Sequence, residues 1–351
     1  MSWPPSASPR ARSAPPTAGK GRASASRCCS CSPVKASGTK EVRVVPSELV
    51  LGVHGRALRA APVRERLVEL ALLACAGVSV VTTVGIVLVL AGESVAFFRE
   101  VGLRAFLFDT QWTPLFSSPR YGIWPLIAGT ALTSGIAMLV AVPLGLLAAV
   151  FLAELAPDGA RRVLKPLLEV LAGVPTLVYG AFALLVVTPA LQRVVPGLAG
   201  FNALSPGLVM GVMILPLVAS LSDDALRAVP MPQREGAWAL GAGRVPTILR
   251  VVLPAARSGI VAAGTLALGR AVGETMIVAI AAGQEPRLTL DPRVPIETMT
   301  AFIVQVSLGD VAAGTLASRT IFVVGAALFV LTLVLNLLAR RAVKTAPGGG
   351  S

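Results

Sequence analysis

The sequence predicts an all-α, polytopic membrane protein with six transmembrane helices. Three observations carry that prediction. Of the 351 residues, 54% are hydrophobic and only 14% are charged. Mean hydropathy is +0.76. The apolar residues also gather into long runs without charge, such as Thr320 to Ala339. Soluble domains of this length carry more charge, and about 20 helical residues span a hydrocarbon core. The net charge of +13 could point to nucleic acid, but aromatic residues are only 5% and the basic residues form no amphipathic cluster. The lipid bilayer is the expected partner, and no nucleic acid is.

Residues 1–62 are rich in Pro, Ser, Ala and Arg and show no apolar period. Such a segment cannot bury enough surface to offset its ordering entropy, so a disordered cytoplasmic tail is expected. Cys28, Cys29 and Cys31 lie in it without a second ligand pair at finger-like spacing, so no metal site is expected. The GKG at Gly19–Gly21 lacks the earlier glycine and the Ser/Thr of a phosphate-binding loop.

The six spans are expected at about 68–91, 125–151, 168–190, 205–222, 258–282 and 320–339. Together they form a transmembrane domain over 63–345, followed by a short flexible tail, 346–351. Each run is long enough, or nearly so, to cross. Ser205-Pro206 suits an N-cap and first turn. The charge-free run Thr298–Gly309 is too short to cross and is expected to be interfacial or re-entrant. Pro143, Pro175 and Pro216 fall inside spans, as kinks or as hinges. Asp223 and Asp224 are expected at a solvated helix end, and Trp112 and Trp124 in an interfacial belt.

Basic residues set the orientation. With the N-terminus inside, 23 of the 31 Lys and Arg face the cytoplasm. Seven face out (Arg99, Arg104, Arg120, Arg193, Arg287, Arg293 and Arg319), and Arg270 lies in the membrane. Dropping the long tail leaves the direction unchanged. Both termini are therefore expected in the cytoplasm.

Two adjoining segments carry the functional signal. The first, 231–254, reads MPQREGAWALGAGRVPTILRVVLP and falls on the cytoplasmic side. Ala237, Leu240 and Gly241 can share one face of a short helix, and small residues admit another protein's surface. Glu235 suits a helix N-terminus, Gly241 and Gly243 can turn the chain, and Pro254 would punctuate the next element. A plain interfacial loop is the alternative.

The second segment is the fifth span, with Gly269, Arg270, Gly273, Glu274 and Thr275 in an otherwise apolar run. On one continuous helix Arg270 and Glu274 would stand about 40° apart and could pair. Gly269-x3-Gly273 would let a neighbouring helix pack closely. An arginine at the membrane centre costs about 2.5–3.5 kcal/mol on insertion scales, so it must face protein or water. Its guanidinium fork suits a tetrahedral oxyanion. Two roles remain open: an anion path with Arg270 on the solute, or a structural ion pair.

The pattern Glu235-Gly236-Ala237-x3-Gly241-x9-Val251-x-Leu253-Pro254 resembles the EAA loop of ABC-importer permeases. It departs at Gly236, where the family has alanine, and Pro246 stands in its second half. GRAVGETM at 269–276 behind such a loop resembles the phosphate-specific permeases. So do 93–116, 121–157, 169–182 and 314–340, and Met276 favours the PstC-type subunit over its PstA-type partner.

The resemblance implies a type I ABC importer permease (MetI-like) architecture in a bacterial inner membrane. It implies that about Met231 to Val251 docks on an ATPase, and that phosphate passes Arg270. The implied partners are a PstA-type permease, a PstB-type ATPase dimer and a PstS-type phosphate-binding protein outside. No Walker A sequence occurs in the chain, so ATP and Mg are expected on the ATPase, with no cofactor here and no enzymatic activity. A permease for another oxyanion such as sulfate or molybdate, and the PstA-type subunit, are the alternatives.

Overall fold

The computed structural model describes residues 63–345 except 117, 310 and 313. The expectations for 1–62, the tail cysteines and 346–351 lie outside the described residues. By contacts the chain divides into Met1–Ala71 and Leu72–Ser351. Of the first unit only the opening turns of helix α1 (Val63–Glu100) are described. The rest of α1 and every later element belong to the second.

Five helices are long and apolar enough to cross a membrane: α1, α3 (Trp124–Val150, prolonged to Leu155), α7 (Leu204–Arg227), the rod from Arg244 to Val272, and α13 (Leu316–Thr345). Two short helices, α2 (Leu103–Phe108) and α12 (Met299–Leu308), do not cross by length. The expected third span, 168–190, is corrected. Its residues belong to α4 (Asp158–Gly173) and to a segment from Thr176 to Gln192, which meet at 86°. The break falls at Val174-Pro175, because proline removes a donor and excludes the preceding residue from helical geometry.

The bent pair lies where the chain returns along the molecule. Helices α3 and α7 run parallel: Gly207 meets Ile136, Gly211 meets Val140 and Gly145 meets Val218. Their C-terminal ends also meet, where Arg227 Nη2 donates to the Leu152 carbonyl at 2.9 Å. The chain between must therefore travel back the length of the pair.

That parallel contact is the centre of the molecule. A Cβ on Gly207, Gly211 or Gly145 would stand 2.7–2.8 Å from a side chain opposite, so these glycines let the helix axes approach. Ala137, Ala141, Met210, Met213, Ile214 and Ala267 fill the contact. The expected packing motif, Gly269-x3-Gly273, has no such role within this chain: a Cβ at Gly269 would meet nothing, and Gly273 ends a helix.

Three π-helical segments precede prolines, and two of them share one cause. Phe151–Leu155, Ala183–Val187 and Ile248–Val252 each end two residues before a proline, at Pro157, Pro189 and Pro254. At Pro189 and Pro254, where the helix continues, the proline ring would clash with the carbonyl four residues back, and widening the turn moves that carbonyl aside; at Pro157 the helix has already ended. Pro254 therefore does not punctuate the chain as expected; the helix runs through it. Pro143 and Pro216 likewise lie inside helices that continue.

At the end of the molecule where α3 and α7 begin, Phe97, Phe98, Phe106, Trp112, Tyr121 and Phe302 form edge-to-face contacts with centroids 5.0–6.4 Å apart. Trp112 is 1% exposed, which overturns its expected place in an interfacial belt. Trp124 is exposed and its Nε1 donates to the Leu107 carbonyl. Helix α12 is set against α3: Thr130 Oγ1 accepts from the Met299 N–H at 3.0 Å, and Thr298 Oγ1 caps α12 by accepting from Ala301. Helix α7 is capped from Asn202, whose Oδ1 accepts the Ser205 N–H at 2.8 Å, and not by the Ser205 side chain.

Candidate functional site

The expected docking segment folds as a helical hairpin. Helix α8 spans Met231–Ala239, after Pro230 in extended geometry. Glu235 sits in its middle and is exposed, not at its N-terminus. The chain then turns through Gly241, whose φ is +81°, a conformation open mainly to glycine. Gly243 caps the next helix, α9 (Arg244–Thr247). Pro246 falls in its first turn, where no helical donor is lost. A Cβ at Gly236 would meet nothing, so alanine would fit there too.

No residue of α8 is buried. Around the turn, Met231, Trp238, Leu240, Val245 and Leu249 are exposed, Leu240 to 90%. So many large apolar side chains on one hairpin suit a protein contact.

From α9 the helix passes through the π segment into α10 (Leu253–Val272) without interruption. At 29 residues this rod is about 43 Å long. Leu253 and Pro254 lie inside it. Arg270 sits in its last turn, exposed, and lines a cavity of about 200 Å³ with Leu152, Lys165, Glu169, Met213, Pro216 and Asp223 among its walls.

The expected fifth span, 258–282, breaks here. Helix α10 ends at Val272, Gly273 is its C-cap, and α11 (Met276–Ala281) begins three residues later. Glu274 is therefore not on the Arg270 face, and no ion pair joins the two among the described residues. Its Oε1 stands 3.5 Å from the Ile277 N–H, and its carbonyl accepts from Thr300 Oγ1 at 2.8 Å. Thr275 Oγ1 donates to the Gly273 carbonyl.

Sequence reasoning missed three groups. Asp223, expected in solvent, is 2% exposed and accepts from Arg161 Nη2 at 3.0 Å and Arg227 Nε at 2.9 Å. Its i,i+4 spacing to Arg227 was a usable signal. Glu154 and Arg234 form the second group: Arg234 Nη1 lies 2.6 and 2.8 Å from the two Glu154 oxygens. They are 80 residues apart, and no local pattern marks them.

The third is Glu297, 1% exposed, beside a cavity of about 160 Å³ that Trp112, Gln284 and Gln305 also line. Burial pushes its pKa up to about 8. Its carbonyl is pressed against Gly129, where a Cβ would stand within van der Waals radius. Among the described residues no cluster of His, Cys, Asp and Glu could hold a metal ion.

Residues 141–345 match the family model of binding-protein-dependent transport system inner membrane components. The chain is 34% identical over 269 residues to the probable ABC transporter permease protein YqgH of Bacillus subtilis, covering 76% of this chain and 87% of that one. It is 35% identical over 255 residues to the phosphate transport system permease protein PstC of Mesorhizobium japonicum, covering 67% and 77%. A crystal structure of a bacterial alginate ABC transporter shares the fold, with a TM-score of 0.56 at 19% identity, over 81% of this chain and 97% of that chain.

Proposed function

The chain belongs to the family of binding-protein-dependent transport system inner membrane components, and from that membership we propose that it is the permease subunit of an ATP-driven phosphate importer. The relatives named as PstC favour phosphate over other oxyanions. The observation that carries the mechanism is the unbroken helix from Arg244 to Val272. One of its ends is the exposed hairpin and the other carries Arg270.

The hairpin receives the work. Its apolar tip docks on a cytoplasmic ATPase, and Glu235, Gly236, Ala237 and Gly241 shape the contact. Both termini then lie in the cytoplasm. Because the rod has no break between Gly243 and Gly273, a tilt at the hairpin displaces Arg270. ATP and Mg act on the ATPase, and a second permease subunit completes the path.

Arg270 receives the anion. The cavity wall around it is mostly apolar. Of the acids in that wall, Asp223 is offset by Arg161 and Arg227. Arg270 and Lys165 face the path as cations, with Glu169 as the remaining acid of the wall, and the guanidinium fork matches phosphate oxygens. A phosphate-binding protein outside supplies the solute.

Uptake of labelled phosphate, sulfate and molybdate by a phosphate-permease deletion strain carrying this chain tests the proposal. Restored phosphate uptake alone is expected. Restored sulfate or molybdate uptake without phosphate would overturn the substrate assignment.

A further inference from the structure

Helix α8 has little packing of its own to hold it to the membrane body. It buries no residue, and its main neighbours are α9 and the π segment that come after it in sequence. One side chain reaches across. Arg234 Nη1 lies 2.6 and 2.8 Å from the Glu154 oxygens, and Nη2 donates to the Leu226 carbonyl at 2.8 Å. The two side chains are only 13% and 12% exposed.

Both receivers are helix ends. Glu154 belongs to the π segment closing α3, and Leu226 is the penultimate residue of α7. The last carbonyls of a helix lack intrahelical donors, and a cation is favoured where they collect. The guanidinium reaches the Leu226 carbonyl at one helix end and the Glu154 carboxylate at the other at once, with charge-assisted geometry a single-point ammonium cannot reproduce. A polar cavity of about 180 Å³ flanks the ion pair, lined by Trp238, Arg244, Thr247 and Ile248. The arginine therefore supplies the directional contact of this joint.

From this geometry we infer that Arg234 is a positioning residue which ties the hairpin to α3 and α7, so that ATPase movement reaches the parallel pair as well as α10. The hairpin is joined covalently to α10 and, through residues 228–230, to α7. Without the Arg234 fork α8 can pivot on the 228–230 link, its movement is not passed on to α3 and α7, and hydrolysis is spent without transport. The inference rests on the importer reading above.

The test uses the complete complex, purified with its partner permease and ATPase and reconstituted in liposomes loaded with ATP and carrying the binding protein. Phosphate moved per ATP hydrolysed is the readout. Arg234→Gln should lower that ratio about tenfold, within the usual range of coupling between sites, in a complex that still contains the ATPase. Arg234→Lys should fall between, since it loses the Leu226 carbonyl. The exchange Arg234→Glu with Glu154→Arg should recover part of the ratio. An unchanged ratio in Arg234→Gln overturns the inference, and so does an exchange no better than the single variants. If Arg234→Gln does not assemble, the lysine variant and the exchange decide by the same criteria. A wild-type complex without ATP-dependent phosphate uptake would instead overturn the importer reading itself.

Discussion

Arg270 and Glu274 are four residues apart and stand on opposite sides of a helix end. Arg270 closes α10 and faces the cavity; Glu274 lies beyond the Gly273 cap, with its carboxylate at the Ile277 N–H. Their functions should therefore be separable. In a double-substitution cycle on phosphate uptake, Arg270→Gln and Glu274→Gln should add within about 0.5 kcal/mol, as for independent sites. A coupling energy well above that would mean that the two meet in the working protein.

Arg270 can be removed without leaving a buried partner unsatisfied, because it is exposed and bonded to no carboxylate among the described residues. Arg270→Gln should assemble with the ATPase at normal yield. Loss of one charge-assisted bond, about 2 kcal/mol, should lower phosphate uptake about 30-fold. Co-purification together with uptake checks this. Lost assembly would assign the arginine a structural role instead.

The hairpin glycines should respond differently to a methyl group. Gly236 lies in a helix with open space around it, so Gly236→Ala should raise stability by up to about 1 kcal/mol through helix propensity. Gly241 has φ +81°, and Gly241→Ala should cost about 1 kcal/mol or more in the turn itself. Thermal unfolding of both variants measures the contrast. A bulky residue at Gly241 would then strain the turn as well as obstruct docking, so Leu240→Asp is the cleaner probe of the docking surface.

How much of this was legible in the sequence depends on the range of each signal. Charge-free runs pointed to α1, α3, α7 and α13 because membrane insertion depends on local composition. The 231–254 segment was legible because its glycine spacing encodes a turn. The break after Val272 was not, because the apolar run continues past Gly273 and hides the helix end. Trp112 and Asp223 were misplaced for a different reason. Local sequence describes both as surface residues, and only partners distant in the chain, Phe302 and Arg161, bury them. Arg234 and Glu154 had no local mark at all.

Glu297 gives the protein a pH dependence with a defined sign. Burial raises its pKa from an ordinary 4.5 to about 8, and the group lies outside the spanning helices. Between those values the folded chain holds a proton that the unfolded chain has released. The stabilisation from a neutral, buried Glu297 is therefore complete below about pH 4.5 and is lost as pH rises through about 8. Above that the carboxylate is charged inside a wall shared with Trp112 and Phe302, where no described side chain offers it a cation. Melting of the detergent-purified protein between pH 6 and 9 should show the midpoint falling with pH. Glu297→Gln keeps the shape without the titration, so its midpoint should fall less over that range and exceed wild type at the alkaline end. Equal slopes in the two proteins would mean that the carboxyl is already ionised at neutral pH, with water or a cation reaching the cavity beside Gln284.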